Sequence, residues 1–269
     1  MEKFLIGLCL FVLTADTSKL SAQQNDGWQL VFSDEFKQPD GSQPDAKKWA
    51  RSQRNPSTWA RWISSSPDVA YIKDGCLVCR AIPNKSLATD TARMLTGAVE
   101  SIGKFDFMYG KVEVRMKTNL QRGNFPAVWL KPTDMKTDNR YGELDIVEMF
   151  GNKKSSHHTI HTHQTFTLKK KRPTEFVKPM NVSRWHVYGM EWDRERIVWT
   201  VDGEPVGEYR RSKAPQDILD GQWTFDRAFY LRLNQSVGDG SQPFFTPLLN
   251  KVYETRFDWI RVYKKTGKR

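Results

Sequence analysis

Hydrophobic and polar residues alternate along much of this chain with the period of two that is typical of β-strands. The strictest example is KVEVRMK, in which Val112, Val114 and Met116 are separated by charged residues. A strand of this kind buries one face and exposes the other to water, as in antiparallel sheets. Four further runs are rich in the aromatic and β-branched residues that favour strands: WQLVFS, WHVYGMEW, FYLRLNQ and RFDWIRVY.

Turn signals separate these runs. Asp202-Gly203 stands between two strand-like runs in RIVWTVDGEPVGEYR, which is a strong signal for a β-hairpin. Helical periodicity is weak and is confined to residues 213–221. Many short strands with Gly, Pro, Asn and Asp between them predict an all-β chain that forms an antiparallel β-sandwich or jelly roll.

The N-terminus has the features of a cleavable secretory signal peptide. Lys3 precedes an apolar run over residues 4–13, and the small residues Ser21 and Ala22 follow a polar stretch. We therefore predict a signal peptide over residues 1–22 and export to the periplasm, the cell surface or the extracellular space. The apolar run is too short to span a bilayer, and no second apolar span is present in the sequence.

Residues 23–269 fit a single domain, since sandwiches of about 250 residues form one unit. The formal net charge is +11, but no recognisable nucleic-acid-binding module accompanies it, and export also disfavours a nucleic-acid partner. The basic run from Lys169 to Arg172 suits a solvated loop, or a rim that steers a sulfated or sialylated glycan. We expect a monomer.

Cys76 and Cys79 lie in a strand-like apolar run after an Asp-Gly turn. A redox Cys-x-x-Cys pair belongs at the start of a helix, and a zinc site would need two more ligands. The two cysteines therefore predict buried thiols or a strained local disulfide.

Three carboxylates lie within six positions in the segment GELDIVE. Glu143 and Asp145 are two residues apart and would share one strand face, whereas Glu148 follows three residues later and would point to the opposite face. A β-bulge between Asp145 and Glu148 adds one residue and returns Glu148 to the face of the other two. Without it, an unpaired charge would enter the opposite layer at a high cost. We therefore predict a bulge and three carboxylates on one concave surface.

Close carboxyl groups are what a retaining glycosidase uses, one as nucleophile and one as acid and then base. Like charges nearby raise the pKa of one carboxyl and keep it protonated near neutral pH. A calcium site and a solvated acidic strand are the alternatives. The apolar neighbours of the three acids favour a buried sheet over a solvated strand: Leu144, Ile146, Val147 and Met149.

The segment GELDIVE resembles the active-site signature Glu-x-Asp-x-x-Glu of glycoside hydrolase family 16, in the bulged form of laminarinases, agarases and endo-β-galactosidases. Other segments resemble the strands of this family in the same order, over nearly all of residues 23–269. The resemblance implies a concanavalin-like β-sandwich with a substrate cleft across its concave face. The segments are WQLVFSDEF, FDFMYGKVEVRMK, FPAVWLKP, HTIHTH, WHVYGMEWDRERIVWTVDGEPV, FYLRLNQSVG and FDWIRVYKK.

The resemblance also implies roles for individual residues. Glu143 matches the family's nucleophile, Asp145 its assisting acid and Glu148 its acid/base. Trp129 matches a cleft tryptophan that packs against a sugar ring, and His161 matches a histidine near the acid/base.

Two further polar residues are candidates for substrate binding. His163 would share a strand face with His161, and a metal site at these histidines is disfavoured because no acid or cysteine completes it nearby in the sequence. His161, His163 or Asn234 could hydrogen-bond the axial hydroxyl of a galactose. We expect no required cofactor and no metal at the catalytic site, with a structural calcium ion as an open alternative.

Two departures from laminarinases bear on the substrate. Laminarinases usually carry a Trp-Pro pair shortly before the catalytic Glu, where this chain reads TDNRYGE, and a tryptophan after N-x-x-V-G, where it reads NQSVGDGSQPFF. We therefore predict an endo-acting retaining β-glycoside hydrolase that cleaves internal β-galactosides of a lactosamine-type, mucin or sulfated glycan. An endo-β-1,3(4)-glucanase is the alternative. A non-catalytic glycan-binding protein on the same fold is disfavoured, because it would not use a proton-donating Glu148.

Overall fold

The computed structural model describes residues 27–135 and 140–267, and within them the chain forms fifteen β-strands and one short α-helix. The helix is α1 (Pro215–Leu219), inside the segment where helical periodicity was weak. Single turns of 3-10 helix at Pro67–Val69 and Pro243–Phe245 and a π-helix at His163–Thr167 complete the regular structure of these residues. The strands are β1 (Trp28–Asp34), β2 (Ala50–Arg51), β3 (Ala70–Lys73), β4 (Cys76–Pro83), β5 (Met94–Glu100), β6 (Gly110–Thr118), β7 (Asn124–Pro132), β8 (Gly142–Glu148), β9 (Ser155–Thr162), β10 (Glu175–Pro179), β11 (His186–Trp192), β12 (Arg196–Val201), β13 (Glu204–Arg210), β14 (Phe229–Val237) and β15 (Tyr253–Lys265).

The runs that the sequence analysis identified as strands are strands in the structure. In β6, Val112, Val114 and Met116 are fully buried, while the charged residues between them are half-buried. The predicted hairpin joins β12 to β13 through Asp202 and Gly203, whose φ angles of 54° and 84° are the left-handed values of a type I′ turn. The WQLVFS, WHVYGMEW, FYLRLNQ and RFDWIRVY runs form β1, β11, β14 and β15.

The strands form two antiparallel layers that are continuous at one edge. The layer that we call the cleft sheet has the order β10-β9-β8-β7-β14-β5, and the outer sheet has the order β4-β15-β6-β11-β12-β13. Strand β5 joins them, because residues 97–100 pair with β14 and residues 94–96 pair with β4. The remaining strands β1, β2 and β3 pair with β15, β5 and β4. The predicted β-sandwich of jelly-roll type is confirmed.

The core lies between the two layers. Its largest buried side chains include Trp199 and Tyr188 of the outer sheet and Leu130 of the cleft sheet. The ring centroids of Tyr188 in β11 and His158 in β9 are 6.4 Å apart, so the two sheets are in direct contact. Burial of each large apolar side chain stabilises the fold by roughly 1.5–3 kcal/mol relative to its exposed state.

Cys76 and Cys79 are free, buried thiols in β4, so the disulfide alternative is wrong. Burial raises the pKa of Cys79 to about 12, which keeps this thiol protonated and unreactive. The predicted signal peptide lies outside the described residues. Within the part of the chain that the structure describes, no helix is long and apolar enough to cross a membrane.

Two residues of the basic run from Lys169 to Arg172 form ion pairs within the protein. Lys170 forms an ion pair with Asp220 and Arg172 forms one with Asp217, so both bases bind the region of α1. Gln164 donates to both of these carboxylates, at 3.0 and 3.2 Å. The run thereby fixes the π-helix against α1, and two of its bases are neutralised by partners within the protein.

Candidate active site

The bulge that the carboxylate spacing predicted is present in β8. Asp145 pairs with Thr159 of β9 and Glu148 pairs with His157, so three steps along β8 face two steps along β9. The pairing with β7 likewise passes over Ile146, which is the inserted residue. The insertion returns Glu148 to the face of the other two acids, and all three line one cavity of about 490 Å³.

Side chains from both layers satisfy the backbone groups that the bulge removes from the ladder. His158 Nδ1 lies 2.7 Å from the Ile146 carbonyl oxygen, and Trp199 of the outer sheet donates its indole N–H to the Asp145 carbonyl at 2.9 Å. Burial lowers the pKa of His158 to about 4, so its ring is neutral at pH 7. Because a carbonyl only accepts, Nδ1 carries the proton, and Nε2 accepts from Ser156 Oγ at 3.0 Å.

Two donors hold one oxygen of Glu143. The Tyr141 hydroxyl donates to Oε2 at 2.7 Å, and the Lys131 ammonium lies 3.1 Å from the same oxygen. Burial, followed by the nearby Glu143, raises the pKa of Tyr141, and burial lowers the pKa of Lys131. The hydroxyl is therefore a proton donor throughout the physiological range, and the Glu143 carboxylate lies against a cation.

The other two acids lie in a setting that favours their protonated forms. Asp145 is 3% exposed, and burial together with the charges of Glu148 and Glu143 raises its pKa well above the usual range. Burial and the charge of Glu143 raise the pKa of Glu148 to about 8, although a hydrogen bond from Thr159 opposes this shift. Glu148 is thus a protonated acid at neutral pH that can lose its proton when the surrounding charge changes.

His161 lies beside two of the acids. Its Nε2 is 3.6 Å from Glu143 Oε1 and 3.4 Å from Asp145 Oδ2, and its side chain is 34% exposed to the cavity. Burial lowers the pKa of His161, which keeps the ring neutral at pH 7. A neutral imidazole offers one donor and one acceptor to a hydroxyl group in the cavity.

Three residues of this cluster could offer ligand atoms to a metal ion, but a lysine lies beside them. Ligand atoms of Glu143, Asp145 and His161 lie within 4.8 Å of one another, so the fold brings beside His161 two acids that are not its neighbours in the sequence. However, the Lys131 ammonium already contacts the Glu143 carboxylate at 3.1 Å, and it would repel a divalent ion there. The raised pKa of Asp145 further weakens its affinity for a cation.

Trp129 and Asn234 line the cavity but bind mainly each other. Trp129 is 5% exposed, its indole N–H donates to Asn234 Oδ1 at 2.9 Å, and the Arg232 guanidinium lies 4.8 Å from its ring centroid. Asn234 in turn donates to Ser236 Oγ at 3.0 Å. Asn234 therefore fixes Trp129, and the prediction that it binds a galactose hydroxyl finds no support in this geometry. Little of the Trp129 ring is open to a sugar.

His163 does not share a strand face with His161, and that prediction is wrong. Strand β9 ends at Thr162, and a five-residue π-helix starts at His163, so the alternation of faces stops there. The turn brings Phe166 to the cavity instead, where it stacks on Tyr141 with ring centroids 3.7 Å apart. His163 is not among the residues that line the cavity.

The sequence analysis did not select several residues that also line the cavity, among them Trp59, Lys131, Tyr141, Phe166 and Arg232. Lys131 lies two residues after Trp129 on β7, and Arg232 lies two residues before Asn234 on β14. Strand alternation alone could therefore have identified both. The three aromatic residues lie outside regular strands, where periodicity carries no information about which way a side chain points.

Comparison with known proteins places this site in a family. The profile of glycosyl hydrolases family 16 matches residues 63–240. The chain belongs to this family. The family resemblance seen in the sequence is thereby confirmed.

Relatives of known activity within the family act on different glycans. The chain is 31% identical to the keratan-sulfate endo-1,4-β-galactosidase of Sphingobacterium multivorum, over 88% of this chain and 55% of that protein. It is 29% identical to the β-glucanase of Rhodothermus marinus, over 88% of this chain and 85% of that protein. The chain thus spans about half the length of the first of these relatives.

Solved structures of the family have the same fold. The non-specific endo-β-1,3(4)-glucanase SCLam superposes with a TM-score of 0.77 at 25% identity, over 89% of this chain and 92% of that chain. The laminarinase catalytic domain of Thermotoga maritima gives a TM-score of 0.74 at 25% identity, over 90% of this chain and 100% of that chain. The family 16 sandwich therefore extends over most of the chain.

Proposed function

We propose that this family 16 enzyme is an endo-acting, retaining β-glycoside hydrolase. The observation that carries the proposal is the set of three carboxylates on one cavity, with Glu143 held by two donors and the pKa of Glu148 raised to about 8. Glu143 attacks the anomeric carbon while Glu148 gives its proton to the departing glycosidic oxygen. Water, deprotonated by Glu148, then cleaves the glycosyl ester and restores both carboxyl groups.

The two steps need Glu148 first as an acid and then as a base, and the site provides for this change. The charge of Glu143 is one of the causes that raise the pKa of Glu148. Formation of the glycosyl ester consumes that charge, so the pKa of Glu148 falls in the intermediate. Glu148 then remains ionised and can accept a proton from the incoming water.

We propose an assisting role for Asp145. With its pKa raised well above the usual range, Asp145 carries a proton in the free enzyme. A protonated carboxyl group donates a hydrogen bond, and Asp145 lies on the same strand face as Glu143 and Glu148. We assign to Asp145 the orientation of the nucleophile and the separation of the acidities of the two glutamates.

Aromatic side chains on both sides of the acids support cleavage within a chain. Tyr141 and Phe166 stack next to Glu143 at one end of the cavity. Phe125 also lines the cavity. It lies on β7 two residues before Ala127, which pairs with Glu148. Phe166 and Phe125 can pack sugar rings on both sides of the cleaved bond, which is the requirement for endo action, while the Tyr141 ring is covered by Phe166 and Lys131.

We propose an internal β-galactoside as the substrate. The support is the absence of the two laminarinase aromatic motifs, the neutral His161 that can bind an axial hydroxyl, and the keratan-sulfate endo-1,4-β-galactosidase among the relatives. A β-1,3(4)-glucan is the second candidate, favoured by the 29% identical β-glucanase. The basic surface contributes little to this choice, because Lys131 and Arg232 in the cavity pair with Glu143 and Glu100.

The setting of the enzyme is proposed from the sequence alone. The features of residues 1–22 support export followed by cleavage after Ala22. We further propose that the enzyme acts as a monomer and requires no cofactor for catalysis, since the carboxyl groups supply both the nucleophile and the proton.

A panel of glycans tests the proposal directly. The enzyme is incubated with laminarin, lichenan, agarose, porphyran, keratan sulfate and mucin, with the Glu143→Gln variant as control. Mass spectrometry gives product size, and proton NMR gives the anomer that forms first. We expect β-anomeric oligosaccharides from a galactose-containing glycan. Faster cleavage of laminarin would contradict the galactoside substrate, an initial α-anomer would contradict retention, and monosaccharides alone would contradict endo action.

A further inference from the structure

Glu143 presents its two oxygens to different surroundings. Oε2 receives the Tyr141 hydroxyl at 2.7 Å and lies 3.1 Å from the Lys131 ammonium. Oε1 has no hydrogen bond among the described residues, and His161 Nε2 lies 3.6 Å from it. One oxygen is thus fixed by the protein, and the other is available to a substrate in the cavity.

The two donors also support each other. The Lys131 ammonium lies 3.7 Å from the centroid of the Tyr141 ring, and Phe166 stacks on the ring with centroids 3.7 Å apart and an interplanar angle of 13°. The Lys131 side chain is only 15% exposed. A buried ammonium is costly unless it is paired, so its contacts with Glu143 and the Tyr141 ring determine its position.

The other charged groups near Glu143 do not replace this lysine. Asp145 and Glu148 lie on the same strand and add negative charge when ionised, and His161 of β9 is neutral at pH 7. Arg232 of β14 forms its ion pair with Glu100, at 2.6 Å. Among the residues that the structure describes, Lys131 is therefore the cation that contacts the Glu143 carboxylate.

We propose that Lys131 and Tyr141 are positioning residues that form a two-donor clamp on Glu143 Oε2 and direct Oε1 at the anomeric carbon. The inference rests on the proposed function, because it assumes that Glu143 is the nucleophile. The clamp fixes the carboxylate in one orientation before attack. In the glycosyl ester Oε2 is the carbonyl oxygen, and when water displaces Glu143 the returning negative charge is stabilised by the same two donors.

Kinetics of two variants test the clamp. Tyr141→Phe removes one hydroxyl but keeps the ring stack, and Lys131→Met removes the charge at similar length. Each should lower kcat by about ten- to hundredfold, the effect of losing one hydrogen bond to a charged group, with KM nearly unchanged. The loss should be equal on the panel glycan that is cut fastest and on a dinitrophenyl glycoside of its product, because leaving-group protonation is not affected.

The outer sheet offers a matched control. Lys111 of β6 pairs with Glu113 at 3.2 Å and lies 4.7 Å from the Tyr263 ring centroid, which are contacts of the same kind outside the cavity. Lys111→Met should leave kcat unchanged. Lys131→Gln, which keeps a donor without the charge, should recover part of the activity lost in Lys131→Met.

A second measurement does not depend on glycan cleavage. In protein labelled with carbon-13 at the glutamate carboxyl groups, the signal of Glu143 is the one that Glu143→Gln removes. Tyr141→Phe and Lys131→Met should both change the chemical shift of this signal at pH 7, because each removes a donor that contacts the carboxylate. Lys111→Met should not move it. Circular dichroism confirms that each variant is folded.

The outcomes separate the clamp from the proposed function. If both variants keep the wild-type kcat and the wild-type position of the Glu143 signal while Glu143→Gln is inactive, the clamp is wrong and the nucleophile assignment stands. If they change KM alone, Lys131 and Tyr141 bind substrate and do not position Glu143. If the wild type cleaves none of the six glycans, the proposed function loses its support, while the position of the Glu143 signal in the two variants still decides whether the two donors act on Glu143.

Discussion

Strands β6 and β8 lie in opposite layers of one sandwich and are organised in contrasting ways. In β6, fully buried apolar residues alternate with half-buried charged ones, and the pairing with β11 runs from end to end without a shift in register. In β8, most positions are buried, and the pairing with both neighbours is interrupted at the bulge. The charges of β6 face water, whereas those of β8 face a cavity.

The contrast shows what a reactive strand requires from its surroundings. The charges on β6 are half-buried at the outer surface, where water screens an ion pair such as that of Lys111 with Glu113. In β8, side chains from other strands hold both the carboxylates and the backbone: Lys131 and Tyr141 at Glu143, and His158 at the Ile146 carbonyl. The regular strand is specified by its own sequence, and the bulged strand depends on distant residues.

The largest expected effect on kcat comes from removing an acid of β8, whereas removing an acid of β6 should have none. Glu143→Gln should lower kcat by at least about 10³-fold, because an amide cannot form the glycosyl ester. Glu113→Gln in β6 makes the same chemical change on the outer sheet and should leave kcat unchanged. Initial rates on the best panel glycan measure both, with glycan binding retained in Glu143→Gln. Substantial turnover by this variant would exclude Glu143 as the nucleophile.

The acid at the other end of the bulge should show a loss that depends on the leaving group. Glu148→Gln should lower kcat/KM on a natural glycan by about 10²- to 10⁴-fold, and by much less on a dinitrophenyl glycoside, which departs without a proton. In the wild type, kcat/KM should fall as pH rises through about 8, because Glu148 then loses the proton it must donate. Equal losses on both substrates would contradict the acid role.

Much of this organisation could be predicted from the sequence, because it depends on local periodicity. The alternation in β6 gave its buried face, and the change of spacing between Asp145 and Glu148 gave the bulge. The contacts of Lys131 and Tyr141 could not be predicted in the same way, since they join a strand, a loop and a second strand. His163 was misplaced because nothing in HTIHTH marks the end of β9 one residue earlier.

The bulge itself provides a third test. His158→Leu leaves the Ile146 carbonyl without its donor, which should lower the free energy of unfolding by about 1–3 kcal/mol. It should also lower kcat by roughly tenfold, because a shift of the bulge displaces Glu148. Val114→Ala in β6 should cost a similar free energy, about 2–3 kcal/mol, through a cavity in the core. The β6 variant should keep its kcat per folded molecule.

Urea unfolding measures the free energy of unfolding. Initial rates, divided by the concentration of folded enzyme, measure kcat. If His158→Leu loses stability but keeps full kcat, the histidine supports the fold and not the position of the acid. If Val114→Ala loses kcat in proportion to stability, the outer sheet influences the site more than the comparison of the two strands implies.

The smallest effect concerns the dependence of stability on pH. Glu148 has a pKa of about 8 in the folded protein and a usual value of 4.5, so the folded state binds its proton more tightly than the unfolded state does. This contribution to stability is complete below pH 4.5 and is lost as pH rises through about 8. The pKa of Asp145 is raised as well and acts in the same direction. The Tm of the wild type should therefore decrease across this range.

Glu148→Gln cannot ionise, so its Tm should decrease less steeply with pH than that of the wild type. For a domain of this size, 1 kcal/mol corresponds to roughly 2–4 °C in Tm, so a difference of a few degrees is within reach of calorimetry. Glu113→Gln on β6 should follow the wild-type curve. Parallel curves of Tm against pH for the wild type, Glu148→Gln and Glu113→Gln would show that Glu148 titrates like a hydrated surface carboxylate. The two strands would then differ in backbone geometry and not in the environment of their acids.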